Sequence, residues 1–217
     1  MTPHPIRLVL ELAARTYAAS LTSFRPWITT YERNNVIAEA NITFHVARAF
    51  CSVFTGGNAF LEREFRREDA GRNVSLKLDA YLTSLELALL FEAKVLVDSS
   101  TALGILDDVD RASADAAGQQ LVLHVGQRPP ETRGLIVAEC WKPDLQSWWH
   151  TGEVGKRLGK RLSVSTDRRG IAAAGGWTFD AVQVGTFEHG SPAEGAGKTC
   201  WWLYAVGPSY PSGASAA

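Results

Sequence analysis

Two carboxylates and a lysine lie in or next to apolar stretches of the sequence, where their chemistry is unusual. Residues 90–96 read Leu-Phe-Glu-Ala-Lys-Val-Leu, and their mostly apolar character predicts a buried strand. Residues two apart in a strand point to the same face, so Glu92 and Lys94 should lie side by side. A buried charge is costly unless it is paired or binds a metal. These two side chains are therefore the first candidates for a functional site.

A third candidate, Asp79, precedes them on an alternating segment. Residues 74–81 alternate apolar and polar side chains, which is the period of a half-buried strand. A turn over 83–86 leads into a second predicted strand over 87–97, and a tight hairpin would bring Asp79 close to Glu92. Two adjacent carboxylates repel each other, and a hard cation such as Mg²⁺ offsets that repulsion. A lysine beside them can orient a metal-bound water and meet the charge of a phosphate.

Helices and further strands must position these residues. Apolar residues spaced by three and four predict helices over 6–24 and 30–54. A third helix is predicted over 99–116, with the hydroxyl residues 99–101 as its cap. The mixed-charge stretch 61–72 is expected to form a short helix or a solvated loop. The remaining predictions are a helix over 146–161 and strands over 120–125, 135–140, 179–187 and 200–206.

An Asp, a hydrophobic hairpin and then Glu-x-Lys in a buried strand resemble the PD-(D/E)XK nuclease-like superfamily, which includes many restriction enzymes and DNA-repair nucleases. The core of that family is a helix, three antiparallel strands, a helix and a further strand, and the elements predicted over 30–140 follow this order. The resemblance implies an α/β protein with a restriction-endonuclease-like αβββαβ core, in which helices flank a mixed central sheet. An N-terminal helix and C-terminal strands would be additions. Leu78 differs from the proline that often precedes the family's Asp.

The resemblance also implies an activity, the metal-dependent hydrolysis of phosphodiester bonds in DNA with Mg²⁺ or Mn²⁺. Asp79 and Glu92 would be the metal ligands, and Lys94 would position the attacking water. Members often add an acid on the first core helix, for which Glu39 is the first choice and Glu32 the second. Replacing Glu92 or Lys94 with alanine is then expected to abolish cleavage and leave the fold intact. The alternative is a non-catalytic binding or accessory protein that keeps the nuclease-like fold.

One concentrated basic segment follows two tryptophans near residue 150. Its lysines and arginines recur at a spacing of four, which aligns them on one face of a predicted helix. Such a patch could contact phosphates, while Trp148 or Trp149 could stack on an unpaired base. The alternative is a solvated helix face beside two core tryptophans, and the sequence leaves both interpretations open. The nucleic-acid-binding candidates are Lys156, Arg157, Lys160 and Arg161.

Composition limits the class of protein. The chain has 217 residues, with 22 Lys and Arg against 23 Asp and Glu, so bulk charge does not bind it to nucleic acid or to a membrane. Its three cysteines are widely separated, which favours reduced thiols over a disulfide scaffold or a zinc site. The N-terminal pattern is that of an amphipathic helix rather than a secretory signal. We therefore expect a cytoplasmic protein without membrane contact, and leave a homodimer or a protein partner open.

The sequence offers no internal repeat and no convincing linker, which predicts a single domain over 1–217. The expected parts are an N-terminal helix over 6–24, a core over 30–140, a C-terminal extension over 141–207 and a frayed tail over 208–217.

Overall fold

The described part of the chain contains three continuous helices and seven strands. A computed structural model describes residues 5–23, 35–69, 72–98, 101–102, 104–105, 108, 131–151, 176–187 and 197–211. Its helices are α1 (Pro5–Ser23), α2 (Asn35–Val53) and α3 (Pro143–Thr151), and residues 101, 102, 104, 105 and 108 are also helical. Its strands are β1 (Asn58–Asp69), β2 (Arg72–Thr83), β3 (Leu87–Leu96), β4 (Glu131–Cys140), β5 (Thr178–Phe187), β6 (Lys198–Val206) and β7 (Tyr210–Pro211).

The strands build one mixed sheet in which β1, β2, β3, β4, β6 and β5 follow one another from edge to edge. Strands β1, β2 and β3 run antiparallel, as neighbours joined by short connections do. β4 pairs parallel with β3, which requires the intervening chain to cross over the sheet. β6 is antiparallel to both β4 and β5, and the short β7 pairs with β4. The predicted α/β fold with a mixed sheet and flanking helices is confirmed.

The sheet separates two hydrophobic cores, as the alternation along β4 illustrates. Leu135 and Val137 pack in the core that α1 and α2 cover. Ile136 and Ala138 point to the opposite face and pack in the core that α3 covers together with the helical residues Ala102 and Ile105. Because successive residues of a strand face opposite sides, one strand serves both cores. The protein is thus built in three layers, with helices on each side of the sheet.

Most predicted elements match the structure to within a few residues, and one does not. The helix or loop expected over 61–72 is wrong, because residues 61–69 belong to β1, which pairs with β2 from Asn58↔Thr83 to Asp69↔Arg72. The predicted strand over 120–125 lies outside the described residues, as does the helix over 146–161 beyond residue 151. Within the described ranges no helix has the length and apolar character needed to cross a membrane.

A buried carboxylate holds α1 on the sheet. Glu139, near the end of β4, is 1% exposed and faces the core beneath α1. Its Oε2 accepts a hydrogen bond from the phenol of Tyr17 on α1, and its Oε1 accepts one from Trp141 Nε1 at 2.6 Å. The ring of Tyr17 also packs against Trp202, whose backbone pairs with Glu139 across β4 and β6. A buried acid with a donor on each oxygen avoids most of the cost of an unsatisfied polar group.

The three cysteines occupy three different surroundings. Cys51 is exposed on α2. Cys140 is buried in the core beneath α3, and Cys200 is buried in the core beneath α1 and α2. Burial raises the pKa of Cys140 to about 11 and raises the pKa of Cys200 as well. Both buried thiols are therefore held in the neutral, weakly nucleophilic form.

The helical residues after β3 begin with a reciprocal cap. Asp98 Oδ1 accepts the N–H of Thr101 at 2.9 Å, and Thr101 Oγ1 accepts the N–H of Asp98 at 3.1 Å. This is a capping box, in which the cap residue and the third helical residue satisfy each other's backbone donors. The capping residue is thus Asp98, one position before the hydroxyl residues that the sequence suggested.

We expect the Asp98→Ala variant to lose about 1 kcal/mol of unfolding free energy, because a first-turn N–H loses its acceptor. Urea denaturation followed by circular dichroism measures the change. Glu86→Ala is the control, since it removes an exposed acid in the β2–β3 turn that caps no helix. This control should stay within about 0.5 kcal/mol of the wild type. Equal stability of the two variants would contradict the capping role.

Candidate active site

β3 carries Glu92 and Lys94 on one face, as their spacing predicts. Lys94 Nζ lies 4.0 Å from Glu92 Oε2. Glu92 is buried, and the residues between and beside the pair on β3 are buried apolar side chains. Charges attract more strongly in such surroundings than in water. The Lys94 side chain remains 28% exposed, so this charged pair stays in contact with solvent.

β2 and β3 separate where the candidate residues begin. Their ladder joins only Ala80–Thr83 of β2 to Ala88–Phe91 of β3. One step further the same register would set Asp79 opposite Glu92, but the strands no longer pair there. Asp79 Oδ2 instead accepts the backbone N–H of Ala93 at 2.8 Å. The carboxylate of Asp79 therefore lies at the exposed edge of β3, beside the residue that separates Glu92 from the lysine.

α2 contributes Glu39 to the same gap between the strands. Its carboxylate lies near the backbone N–H of Val95, two residues beyond the N–H that Asp79 binds. Burial raises the pKa of Glu39, the positive charge of Lys94 lowers it, and the carboxylate of Asp79 raises it. Glu39 thus lies within electrostatic reach of both predicted partners. The second choice for this role, Glu32, falls outside the described residues.

A fourth carboxylate, which sequence reasoning missed, also faces the lysine. Asp108 is 2% exposed, and its Oδ2 lies 3.3 Å from Lys94 Nζ. It belongs to the helical residues that follow β3, where the buried Ala102 and Ile105 pack against the sheet. The sequence did contain a signal, because Asp108 comes three residues after Ile105 and so continues the apolar face of that helix. A buried acid at such a position needs partners, and Lys94 is one of them.

The site is strongly electronegative. Among the described residues, Glu92 and Asp108 face the ammonium group of Lys94, and Glu39 lies within electrostatic reach of Lys94 and Asp79. Such a concentration of negative charge in partly buried surroundings attracts cations. The acids that line it are Glu39, Asp79, Glu92 and Asp108.

The donor chemistry of the site fits a hard divalent cation. Carboxylate oxygens are the ligands that Mg²⁺ and Mn²⁺ prefer. Within the described ranges, however, no three His, Cys, Asp or Glu side chains are grouped so that they could hold one metal ion. Mg²⁺ commonly binds one or two carboxylates and completes its shell with waters and phosphate oxygens. Asp79 and Glu92 would therefore hold the ion as a pair, with the other positions open to water and substrate.

The predicted nucleic-acid surface is only partly described. The basic candidates at 156–161 lie outside the described residues. Trp148 and Trp149 are both fully buried in the core beneath α3, and Trp149 Nε1 donates to the carbonyl of Asp180 at 3.2 Å. The suggestion that one of these tryptophans stacks on a base is therefore wrong, because neither ring reaches the surface. Their apolar bulk instead anchors α3 to the sheet.

The chain was compared with protein-family models, with curated proteins and with solved structures. None of the three comparisons finds a match.

Proposed function

We propose that this protein is a metal-dependent nuclease of the PD-(D/E)XK type that hydrolyses phosphodiester bonds in DNA. One observation carries the proposal: the strands β2 and β3 separate at the point where two acids and a lysine of the expected pattern meet. An acid from the preceding helix reaches the same gap. Residues far apart in sequence thus form a single cluster of the composition that metal-assisted phosphoryl chemistry uses. They are Asp79, Glu92, Lys94 and Glu39.

The order of the elements supports the same proposal. α2 is followed by the antiparallel strands β1, β2 and β3, then by the helical residues 101, 102, 104, 105 and 108, and then by β4 parallel to β3. This is the sequence of helix, three antiparallel strands, helix and strand that the family has. Under the proposal, α1 and the strands β5 and β6 are additions to that core.

The mechanism assigns a task to each side chain. Hydrolysis adds water across one P–O ester bond and leaves a phosphate monoester and a free hydroxyl group. Asp79 and Glu92 would hold Mg²⁺, which when bound lowers the pKa of a coordinated water and stabilises charge on the phosphate. Lys94 would orient the attacking water and offset the charge that grows on the phosphate oxygens. Glu39 would accept a hydrogen bond from a water of the site.

A second candidate function is a non-catalytic binding or accessory protein with the same fold. The observation that favours it is the number of metal ligands, because no group of three ligand side chains occurs in the described ranges. In that case Lys94 would simply neutralise buried acids, and the site would be structural. A cleavage assay separates the two candidates.

We expect the full-length protein to cleave DNA only when Mg²⁺ or Mn²⁺ is present. Labelled single-stranded and double-stranded DNA are incubated with each metal, and the products are resolved on a denaturing gel. A chelator should abolish cleavage by removing the ion that Asp79 and Glu92 hold, and excess Mg²⁺ should restore it. Single-stranded RNA in parallel identifies the preferred polymer.

The control for this assay is the folded state of the protein, which circular dichroism monitors in the same buffers. A folded protein that cleaves neither form of DNA with either metal would contradict the nuclease proposal and favour the accessory role. Cleavage that persists in the chelator would contradict the proposed metal dependence.

A further inference from the structure

Lys94 faces two carboxylates of β3 and its neighbouring helical residues at unequal distances. Its Nζ is 3.3 Å from Asp108 Oδ2 and 4.0 Å from Glu92 Oε2. Asp108 is thus the nearer acid, although it lies outside the Glu-x-Lys pattern. We propose that Asp108 is a positioning residue that anchors the ammonium group of Lys94. This inference rests on the proposed nuclease function for its catalytic consequence, but the anchoring itself can be tested separately.

Burial decides how firmly such a pair is held. Lys77 and Glu62 lie at the same separation of 3.3 Å, but their side chains are 63% and 77% exposed. Exposed pairs of this kind are screened by water and contribute little. The Asp108 side chain is only 2% exposed, so water screens its attraction to Lys94 far less than in the exposed pair. At the same distance, the exposed pair Lys77–Glu62 is therefore weakly held and the buried Asp108 holds Lys94 more firmly.

The helical residues around Asp108 are well placed to fix its position. They begin with the reciprocal cap between Asp98 and Thr101, and they bury Ala102 and Ile105 against the sheet. The carboxylate is thus presented by packed secondary structure rather than by an exposed loop. An anchor on a packed element holds its partner more closely than a mobile side chain does.

Anchoring matters because a divalent cation at Glu92 would repel the ammonium group. Lys94 and the cation carry like charges, so cation binding at Glu92 would drive the ammonium group away from the site. The negative charge of Asp108, 3.3 Å from Lys94 Nζ, would oppose this displacement. With the anchor in place, Lys94 would stay beside the attacking water, and the carboxylate of Glu92 would remain available to hold the ion.

The first test is the activity of the Asp108→Asn variant, which keeps the side-chain volume and removes the charge. We expect kcat for DNA cleavage to fall between about tenfold and a hundredfold, since a small displacement of a catalytic group costs that much. KM for DNA should change little, because Asp108 does not reach the substrate. A purely structural role would alter the fraction of folded protein instead. Unchanged kcat in folded Asp108→Asn would overturn the proposal.

The second test needs no activity. Lysines are labelled by brief reductive dimethylation, and mass spectrometry measures the rate at Lys94 with Lys77 as the internal reference. In the wild type Lys94 should react more slowly than Lys77, and in Asp108→Asn its rate should rise roughly tenfold. The matched control Glu62→Gln removes the partner of Lys77, and the rate at Lys77 should hardly change because that pair is exposed.

The two tests separate the possible failures. A wild-type protein that cleaves no DNA overturns the proposed function, whatever the labelling shows. Equal labelling of Lys94 and Lys77 in the wild type overturns the anchoring, even when cleavage is present. This wild-type comparison can still overturn the anchoring should Asp108→Asn fail to fold.

Discussion

Exchanging Glu92 for glutamine should reduce magnesium-dependent DNA cleavage by at least about a thousandfold. The exchange removes one of the two carboxylates that would hold the ion, and a bound metal stabilises the transition state by several kcal/mol, where about 4 kcal/mol corresponds to that factor. Glutamine has nearly the same shape, and Lys94 retains Asp108 at 3.3 Å as a partner. The protein should therefore remain folded. Single-turnover cleavage with saturating Mg²⁺ measures the effect.

Glu62→Gln is the matched control for this experiment. It makes the same chemical change in an exposed glutamate that also pairs with a lysine, Lys77 on the neighbouring strand. Its cleavage rate should equal that of the wild type. Full activity of Glu92→Gln would contradict the proposed metal site. Equal losses of cleavage rate in the two variants would show that the loss is not specific to Glu92.

The structure alters what we expect of the alanine exchange at Lys94. The sequence suggested that this variant would lose activity and keep its fold. Lys94 faces two buried acids, however, and its removal leaves Glu92 and Asp108 without that ammonium group. Breaking a buried pair by deleting one partner costs about 3 kcal/mol or more, and the partial exposure of Lys94 reduces that figure. Glu92→Gln is therefore the cleaner test of the mechanism.

A large effect on stability is also expected of Tyr17→Phe. The variant deletes the phenol that donates to the buried Glu139 and leaves Trp141 as its remaining described donor. A hydrogen bond to a buried charged group contributes about 2 kcal/mol, so the variant should lose about that much unfolding free energy near pH 8. Urea denaturation at about pH 5 and about pH 8 measures the loss, which should be smaller at the lower pH.

The sign of this pH dependence follows from the pKa of Glu139. Burial raises its pKa in the folded protein above the unfolded value, while hydrogen bonds from Tyr17 and Trp141 lower it. At a pH between the unfolded and the folded pKa of Glu139, the folded protein retains a proton that the unfolded chain has lost. The unfolding free energy therefore falls as the pH rises through this range. Tyr17→Phe removes one interaction that lowers the pKa, which extends the range upward. The difference from wild type must therefore grow with pH.

Tyr204→Phe provides the control. Tyr204 donates to Asp180 at 3.0 Å, but the Asp180 side chain is 47% exposed and can bind water instead. We expect Tyr204→Phe to lose less than about 1 kcal/mol of unfolding free energy, by nearly the same amount at both pH values. A loss in Tyr17→Phe that is equal at both pH values would contradict the assignment to the ionisation of Glu139.

The fold was predictable where hydrophobic periodicity was strong. The spacing of apolar residues located α1 and α2, and the two-residue alternation located β2, because these elements each bury one face. β1 was missed because residues 61–72 mix charges and show no apolar alternation. That strand is defined by its backbone pairing with β2, which is a tertiary relation that local sequence does not contain.

The site was predictable in part for a related reason. Charged residues within an apolar strand are conspicuous, so Glu92 and Lys94 could be chosen from the sequence, and the hairpin then suggested Asp79. Asp108 was missed because it lies in a stretch rich in acids, where a further carboxylate is typical of a solvated surface. Its spacing from Ile105 was the one signal in the sequence, and the structure distinguishes it by its burial and by its distance from Lys94.

The positions of the three cysteines allow thiol labelling to report on unfolding. Cys51 is exposed, so one thiol should react with a maleimide in the native state, while Cys140 and Cys200 become reactive only when their surroundings open. Because Cys140 lies in the core beneath α3 and Cys200 in the core beneath α1 and α2, each reports on one side of the sheet. Pulsed labelling in increasing denaturant can thus reveal whether the two helical layers detach together or in sequence.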